Sequence, residues 1–295
     1  MARMTVIGFT FIRNAVRYDY PIVEAVRSIL PLCDRVVVAV GKSEDATLAL
    51  VRAIHPTKIE IVRTVWDDTL REGGRVLAVE TNKALAAVAS DADWAFYIQG
   101  DEVLHERYHA PVRAAMQRYR TDAATDGLLF DYRHFYGSYD YVGATRRWYR
   151  REVRIIRPNR AISSYRDAQG FRRADGSKLR VRRSGGTIYH YGWVKPPETM
   201  QRKRMALDAF WHTDAEVAAR AAGRASYDFS TGVDALARFE GTHPAVMHAR
   251  IAARNWTFDH DVAFNRFGWK ERFRRWMERH TGWYPGEYRN YRLLD

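Results

Sequence analysis

The acidic pair Asp101 and Glu102 offers the clearest chemistry in this sequence, because it closely follows the apolar run at residues 94–98. Carboxylate oxygens that emerge from a buried strand suit a hard cation such as Mg²⁺ or Mn²⁺. Such a cation neutralises the charge that develops on a departing phosphate. An acidic pair can equally cap the helical turn that follows it, and the spacing alone fits both interpretations.

Two other polar segments also follow apolar runs. Arg13 and Asn14 come after the first run, and residues 41–47, with Ser43 and Asp45 among them, come after the second. Their hydroxyl and carboxylate groups can hydrogen-bond a ribose or a base. The second segment is also the pattern of a simple helix N-cap, and its residue types alone do not separate the two roles.

The elements that must position these groups are predicted by hydrophobic periodicity. Apolar runs rich in β-formers, at residues 5–11, 35–40, 59–62 and 94–98, alternate with helical patterns. Near-continuous apolar strands between helices predict a parallel sheet that is covered on both faces. Because ligands bind at the carboxyl ends of the strands in such a sheet, we expect the polar segments to face one crevice.

The composition is typical of a folded globular protein, with 46% hydrophobic and 28% charged residues. Cys33 is the single cysteine, which excludes an intramolecular disulfide and a cysteine-based zinc site. No apolar run approaches the roughly 20 residues of a membrane-spanning helix, and the N-terminus lacks the pattern of a signal peptide. We therefore expect a cytoplasmic protein.

The net charge of +13 is concentrated in one segment. Residues 146–205 contain 18 Arg and Lys against 4 Asp and Glu, so the rest of the chain is nearly neutral. A segment of this kind indicates contact with a polyanion, which can be a nucleotide diphosphate, an anionic lipid surface or a nucleic acid. A solvated basic face has the same composition.

Four motifs, taken in their order along the chain, carry a resemblance to a known family. They are residues 11–14, residues 41–47, residues 71–74 with 80–82, and residues 97–102. Together they resemble the inverting family 2 glycosyltransferases of GT-A fold, especially bacterial members of the lipopolysaccharide-core type. The resemblance covers residues 4–205.

The resemblance implies an α/β GT-A fold with a mainly parallel central sheet and a helical C-terminal appendage. The implied catalytic domain is residues 1–205, with a nucleotide-sugar-binding half at 1–125 and an acceptor half at 126–205, and a helical extension follows at 206–295. The implied activity is the inverting, metal-assisted transfer of a sugar from a UDP- or GDP-linked donor. Its acceptor is a hydroxyl group on a glycan or a lipid-linked molecule.

The resemblance also implies roles for individual residues. The expected donor-binding residues are Phe11, Arg13, Asn14, Gly41, Ser43, Asp45, Arg71, Asn82, Gln99 and Lys195. Mn²⁺ or Mg²⁺ is expected on Asp101 and His190, although a lone histidine at a strand end is more often structural. Two positions depart from the family, because Gln99 stands where the first acid is expected and Gly41 replaces the acid after the second strand. A neutral Gln can still ligate through its carbonyl oxygen.

An inverting transfer needs one carboxylate to take the proton from the attacking hydroxyl. By the resemblance this base is Asp167, with Glu152 and Asp175 as its rivals. We expect basic surroundings to keep Asp167 ionised and able to accept a proton. Each of the rivals can instead be a surface partner of one of the many arginines.

Two other functions are open alternatives. One is a nucleic-acid-binding protein that uses the basic segment, and the other is a sugar nucleotidyltransferase. No helix-turn-helix, zinc finger or RNP signature accompanies the charge, and no Gly-rich loop with a following Lys comes after the first strand. We therefore expect an enzyme of the hexosyltransferase class (EC 2.4) that has no nucleic-acid partner.

The tail of the sequence interleaves aromatic and basic residues. Trp269, Phe273, Trp276 and Trp283 alternate there with lysine and arginine. This pattern indicates a basic amphipathic helix, which can lie on the inner face of an anionic membrane as a peripheral contact. Docking of the helix onto the catalytic domain explains the same pattern.

Overall fold

A computed structural model of the chain describes residues 3–158, 160–221, 225–284 and 286–294. Strands and helices alternate over the first hundred residues, as the apolar runs predict. The strands are β1 (Val6–Ile12), β2 (Arg35–Gly41), β3 (Ile59–Thr64) and β4 (Trp94–Tyr97). The helices between them are α1 (Ile22–Ile29), α2 (Thr47–Arg52) and α3 (Arg75–Ala86).

Strands dominate the middle of the chain. They are β5 (Glu102–Leu104), β6 (Gly127–Tyr136), β7 (Tyr141–Gly143), β8 (Arg151–Ile156), β9 (Ile162–Tyr165), β10 (Gly170–Arg173) and β11 (Arg180–Trp193). Helix α4 (His109–Arg118) lies between β5 and β6.

The last part of the chain contains helices and two short strands. The helices are α5 (Pro197–Asp208), α6 (Asp214–Ala221), α7 (His248–Ala252) and α8 (Trp269–Thr281). The strands are β12 (Leu236–Arg238) and β13 (Arg292–Leu293). The domain boundary expected at residue 205 falls inside α5, and the division into domains stays a prediction. None of the described helices is both long and apolar enough to cross a bilayer.

One large sheet organises the molecule, with the strand order β12-β7-β6-β8-β4-β1-β2-β3. Strands β3, β2, β1 and β4 are parallel, whereas β8 is antiparallel to both of its neighbours, β4 and β6. The predicted α/β class and the parallel N-terminal strands are confirmed. The sheet as a whole is mixed rather than mainly parallel, because the chain returns as antiparallel strands after β5.

The apolar runs form strands because the sheet is covered on both faces. Along β2, Val36, Val38 and Val40 belong to one buried cluster, which includes α1, while Val37 and Ala39 belong to another, on the side of α3. Successive side chains of a strand point to opposite faces, so a strand buried on both faces needs apolar residues at every position.

Glu152 is a buried acid outside the strand-end crevice. It lies on β8 with 1% of its surface exposed, and its Oε2 is 3.5 Å from Nδ2 of Asn290. Burial raises the pKa of Glu152 from 4.5 to about 7, although the Arg154 charge acts in the opposite direction. The folded protein therefore holds this proton more tightly than the unfolded chain, and stability is lost as the pH rises from about 4.5 to about 7.

We expect Glu152→Gln to remove this pH dependence, because an amide of the same shape does not ionise. The stability of the variant relative to the native protein should rise between pH 4.5 and pH 8 by up to about 3 kcal/mol, which is the free energy of a shift of that size. Urea unfolding at the two pH values measures the difference. The exposed Glu240→Gln serves as the control, and an effect of Glu152→Gln that is equal at both pH values would contradict the prediction.

Candidate functional site

A cavity of about 440 Å³ opens where β1 and β4 end. These strands are parallel neighbours, so the segments that follow them, residues 13–14 and 99–101, lie together at the cavity. The predicted site residues that line it are Phe11, Arg13, Asn14, Arg71, Gln99, Asp101 and Asp167. The cavity therefore brings residues at the ends of the N-terminal strands together with Asp167, from much later in the chain.

One wall of this cavity is aromatic. Trp66, which comes after β3, contacts Phe11 and Phe210 with ring centroids 5.7 and 5.8 Å away. The Arg13 guanidinium lies 5.5 Å from the Trp66 ring centroid. Trp211 lines the same cavity and is 40% exposed. Flat aromatic surfaces of this kind can stack against a nucleobase.

Sequence reasoning identified Phe11 and missed the rest of this wall. Trp66 follows β3 just as the polar segments follow β1 and β2, so the strand-end rule would have found it if aromatic residues had been considered. Phe210 and Trp211 come directly after α5, far along the chain, and no local signal connects them to β3. Packing of α5 against the cavity brings them there.

Gly41 does not line the cavity, and its lack of a side chain leaves room for Trp66. A Cβ atom at this position would stand 2.4 Å from Nε1 of Trp66. The missing side chain therefore gives the indole ring its place against Phe11.

Ser43 and Asp45, both predicted to bind the donor, hold the loop that follows β1. The Ser43 hydroxyl accepts a hydrogen bond from the Asn14 N–H at 3.0 Å, and Asp45 Oδ2 accepts one from the Arg17 N–H at 2.7 Å. Asn14 has φ 53° and accepts a hydrogen bond from the Glu44 N–H through Oδ1 at 2.8 Å. Ser43 and Asp45 lie behind this loop, whereas Asn14 and Glu44 line the cavity.

Lys195 and Asn82 do not line the cavity either, and both bind backbone groups elsewhere in the protein. The buried Lys195 ammonium donates to the carbonyls of Tyr18 and Asp19 at 2.9 and 3.0 Å. Burial, reinforced by the nearby Lys203 charge, holds the pKa of Lys195 well below its usual value. Asn82 on α3 accepts a hydrogen bond from the Ser164 N–H at 2.7 Å and so ties α3 to β9.

Asp101 is paired with Lys203, which is not among the site residues predicted above. Lys203 on α5 donates to Asp101 Oδ2 at 3.0 Å and to the Gly192 carbonyl at 2.9 Å. Burial alone would raise the pKa of Asp101, but the Lys203 charge and its hydrogen bond, together with His190 and Lys195, outweigh burial and hold the pKa far below its usual value. Asp101 is therefore a carboxylate at neutral pH, with Oδ2 already engaged.

A pair of histidines sets the orientation of the second predicted metal ligand. His190 Nδ1 lies 3.1 Å from His134 Nδ1, and His134 Nε2 lies 2.8 Å from the Tyr149 carbonyl oxygen, which can only accept. Burial lowers the pKa of both histidines, so both are neutral at pH 7. In the tautomer that satisfies both hydrogen bonds, His190 donates from Nδ1 and leaves Nε2 unprotonated, 3.7 Å from Asp101 Oδ1.

Asp101 and His190 fit a divalent ion as a two-ligand site. Two electron-pair donors face each other across 3.7 Å, a separation that two ligands of one ion can have when each bond is about 2 Å long. The described part of the chain has no group of three or more His, Cys, Asp and Glu side chains that could hold an ion. The remaining ligands of an ion bound here would have to come from a bound small molecule and from water.

Asp167 lies in the tight loop between β9 and β10. Its neighbours Arg166 and Ala168 have φ angles of 54° and 62°, in the left-handed region that non-glycine residues rarely adopt. Two hydrogen bonds hold the loop, from Gln99 Nε2 to the Ala168 carbonyl at 3.1 Å and from Arg154 Nη1 to the Gln169 carbonyl at 3.0 Å. Backbone strain of this kind is characteristic of functional sites.

Among the three carboxylates considered as a base, Asp167 is the one that lines the cavity. Glu152 is buried beside Asn290, and Asp175 is exposed and accepts a hydrogen bond from the Ser177 N–H at 2.9 Å. Burial raises the pKa of Asp167. Desolvation sets the direction of this shift, and the Arg166 charge acts against it.

Glu102, the other member of the acidic pair, faces inward. It accepts hydrogen bonds from Arg154 Nη2 and Nε at 2.7 and 2.8 Å, from the Tyr132 hydroxyl at 2.8 Å and from the Gln99 N–H at 3.1 Å. The Glu102 and Arg154 side chains are both fully buried. The two acids of the pair therefore have different tasks, since Asp101 faces the cavity and Glu102 holds the framework beneath it.

At least five of the 18 basic residues in the segment at residues 146–205 are engaged by partners within the protein. The side chain of Asp126 is fully buried and has three arginine partners. They are Arg160, Arg173 and Arg180. Arg157 donates to the carbonyls of Thr125 and Tyr119, and Arg154 is paired with Glu102. Nucleic-acid binding depends on cations that are free to meet phosphates, and these arginines are not.

The chain is similar to several solved structures. It matches glucosyl-3-phosphoglycerate synthase from Mycobacterium tuberculosis, crystallised with Mn²⁺, UDP and phosphoglyceric acid, at 19% identity over 45% of this chain and 43% of that one, with a TM-score of 0.30. It matches residues 1–349 of S. aureus TarS at 13% identity over 72% and 68% of the two chains, with a TM-score of 0.39. The matches span less than half of the synthase and of a longer TarS chain.

A third similar structure is 4-diphosphocytidyl-2C-methyl-D-erythritol synthase from Anaerococcus prevotii, at 9% identity over 52% of this chain and 72% of that one, with a TM-score of 0.33. No protein-family model matches the chain, and no curated protein matches it. Each activity named here belongs to the protein that was matched.

We expect Gly41→Ala to displace Trp66, because the new Cβ would overlap the indole ring. Overfilling of a packed site lowers the free energy of unfolding by about 1–3 kcal/mol, and the moved indole should become more accessible to acrylamide quenching. Gly268→Ala is the matched control, since no residue that the structure describes lies within 4 Å of its Cβ position and its φ is −68°. Equal effects of the two substitutions would contradict the role given to Gly41.

Proposed function

We propose that this chain is a glycosyltransferase of GT-A type, which transfers a sugar from a nucleotide diphosphate donor to a hydroxyl acceptor with inversion. One observation carries the proposal. A single cavity at the strand ends is lined by an aromatic wall around Trp66, the carboxylate of Asp101 and the separate carboxylate of Asp167. His190 lies 3.7 Å from Asp101 and lines a smaller pocket that Asp101 also borders. The aromatic wall suits a nucleobase, Asp101 suits a cation at the diphosphate, and Asp167 suits the acceptor hydroxyl.

The aromatic wall and the cations beside it support a nucleotide donor, with UDP or GDP as the nucleotide. A base stacked on Trp66 and Phe210 would leave its phosphates in the part of the cavity that Arg13 and Arg71 line. Guanidinium groups form strong charge-assisted hydrogen bonds with phosphate oxygens. Both arginines now pair with exposed acids, Asp68 and Asp214, and such pairs are readily exchanged for a phosphate.

Asp101 and His190 would hold Mn²⁺ or Mg²⁺, with diphosphate oxygens and water completing the coordination. A cation bound there stabilises the negative charge of the leaving nucleotide. His134 keeps Nε2 of His190 unprotonated and directed at Asp101. Lys203 adds a further positive charge at Asp101 Oδ2, so the chain itself contributes to neutralising the diphosphate.

Asp167 would act as the general base. Its carboxylate takes the proton from the acceptor hydroxyl as that oxygen bonds to the anomeric carbon, and the bond from this carbon to the diphosphate breaks. The burial that raises the pKa of Asp167 makes it a stronger base than an exposed aspartate. Attack on the face opposite the leaving group inverts the configuration of the sugar.

Nucleotide binding tests the donor site directly. In a thermal-shift panel of UDP, GDP, CDP, TDP and ADP, with and without Mn²⁺, we expect one nucleotide to raise the Tm and Mn²⁺ to enlarge the shift, because a ligand that binds the native state stabilises it by mass action. Asp101→Asn should abolish the Mn²⁺-dependent part of the shift and keep the metal-independent part.

Two further variants complete the panel. Asp68→Asn removes a different carboxylate of the same cavity and should leave the Mn²⁺ dependence intact, whereas Trp66→Ala should reduce the shift under both conditions. An undiminished Mn²⁺ effect in Asp101→Asn would overturn the metal assignment. The absence of a shift with every nucleotide would overturn the proposed function.

Asp167→Asn tests the base. Release of nucleoside diphosphate from the sugar nucleotide that the panel identifies should fall at least about a hundredfold, the typical contribution of a general base. The donor's thermal shift should persist, because the amide has the same shape as the acid. Asp175→Asn, an exposed change in the same part of the chain, should leave turnover unaltered, and unaltered turnover in Asp167→Asn would move the role to another group.

A further inference from the structure

Helix α8 packs against the protein through its charged face. Glu271, Arg275 and Glu278 are its partly buried polar residues. Glu278 pairs with Arg150 at 2.7 Å and Glu271 lies 3.7 Å from Arg146, while Arg275 donates to a backbone carbonyl in the loop after β7. Among the residues that the structure describes, it is therefore mainly polar contacts that hold this helix in place, beside the partly buried Met277.

The opposite face of α8 is an exposed aromatic stripe. Trp269, Phe273 and Trp276 are 75%, 55% and 55% exposed, and their spacing places them on one side of the helix. The Phe273 and Trp276 rings stack with centroids 6.1 Å apart. A surface helix in a globular protein normally turns its apolar face to the core. Helix α8 has the reverse orientation, and the described residues leave its stripe open to solvent.

Cations flank this aromatic stripe on both sides. At 3.6 residues per turn, Lys270 and Arg274 lie on one flank and Arg272 and Arg279 on the other, and all four are exposed. Both acidic residues of α8 belong to the inward face. Charge is therefore segregated, with cations around the aromatic stripe and anions turned toward the protein.

We propose that α8 docks on an anionic lipid bilayer. The aromatic stripe enters the boundary between headgroups and acyl chains, where aromatic rings are favoured. The flanking lysine and arginine side chains extend to the level of the lipid phosphates. Positive charge on both flanks is the complement of an anionic headgroup layer. This surface lies outside the nucleotide cavity and does not rest on the proposed activity.

Co-sedimentation with vesicles tests the proposal. The whole protein should bind vesicles that contain phosphatidylglycerol at least about tenfold more tightly than vesicles of phosphatidylcholine alone, since cations near the surface add to the aromatic contribution. Binding should weaken as salt is raised, and tryptophan emission should shift to shorter wavelength on binding. Equal binding to the two kinds of vesicle, or binding to neither, would overturn the proposal.

Matched variants locate the surface. Phe273→Ala with Trp276→Ala should weaken vesicle binding at least about tenfold, and Lys270→Gln with Arg274→Gln should weaken binding to anionic vesicles selectively. Val65→Ala, 71% exposed after β3, and Arg52→Gln with Arg118→Gln, exposed on α2 and α4, are the controls and should bind as the native protein does.

The nucleotide-induced thermal shift should be unchanged in all of these variants, so failure of vesicle binding and failure of the proposed activity are separable. Native-like vesicle binding by the α8 variants would overturn the assignment to α8. A concentration-dependent dimer that Phe273→Ala with Trp276→Ala abolishes would also overturn it, because the stripe would then be a contact between two copies of the chain.

Discussion

Glu102 and Arg154 meet in the interior through two hydrogen bonds of 2.7 and 2.8 Å, and the geometry of the site depends on that contact. Removing such charges from water costs several kcal/mol per ion, so a buried pair is stable when both partners and their other hydrogen bonds are present. Those other bonds reach the site, because Glu102 also binds the Gln99 N–H and Arg154 also binds the Gln169 carbonyl. The pair thus links the Asp101 turn to the Asp167 loop.

The polar residues around the cavity divide between chemistry and support. Asp101 and Asp167 face the cavity, whereas Ser43, Asp45 and Lys195 satisfy backbone groups of the loop that follows β1. A partly buried loop needs such partners, because an unpaired backbone N–H or carbonyl that is shielded from water costs as much free energy as a lost hydrogen bond. Residue types that suit a ribose therefore also suit a neighbouring backbone, and only their position distinguishes the two uses.

The last third of the chain completes the structure in two ways. Helix α5 and the residues after it bring Lys203 to Asp101 and Phe210 to Trp66, so the cavity is incomplete without them. Helix α8 is held by its charged face and leaves its aromatic stripe exposed. Both arrangements depend on contacts between residues far apart in sequence, which is why the amphipathic pattern alone left the orientation of α8 open.

The amino-acid sequence by itself determined the parallel strands and the positions of Asp101, Arg13 and Asn14 at their ends. It could do so because local periodicity reports which faces are buried, and parallel strands necessarily end at one edge. Tertiary structure alone decided the antiparallel pairing of β8 with β4 and β6, the ring contact between Trp66 and Phe210, and the hydrogen bond between His134 and His190. These contacts join residues with no local relation, and their geometry follows from how whole elements pack.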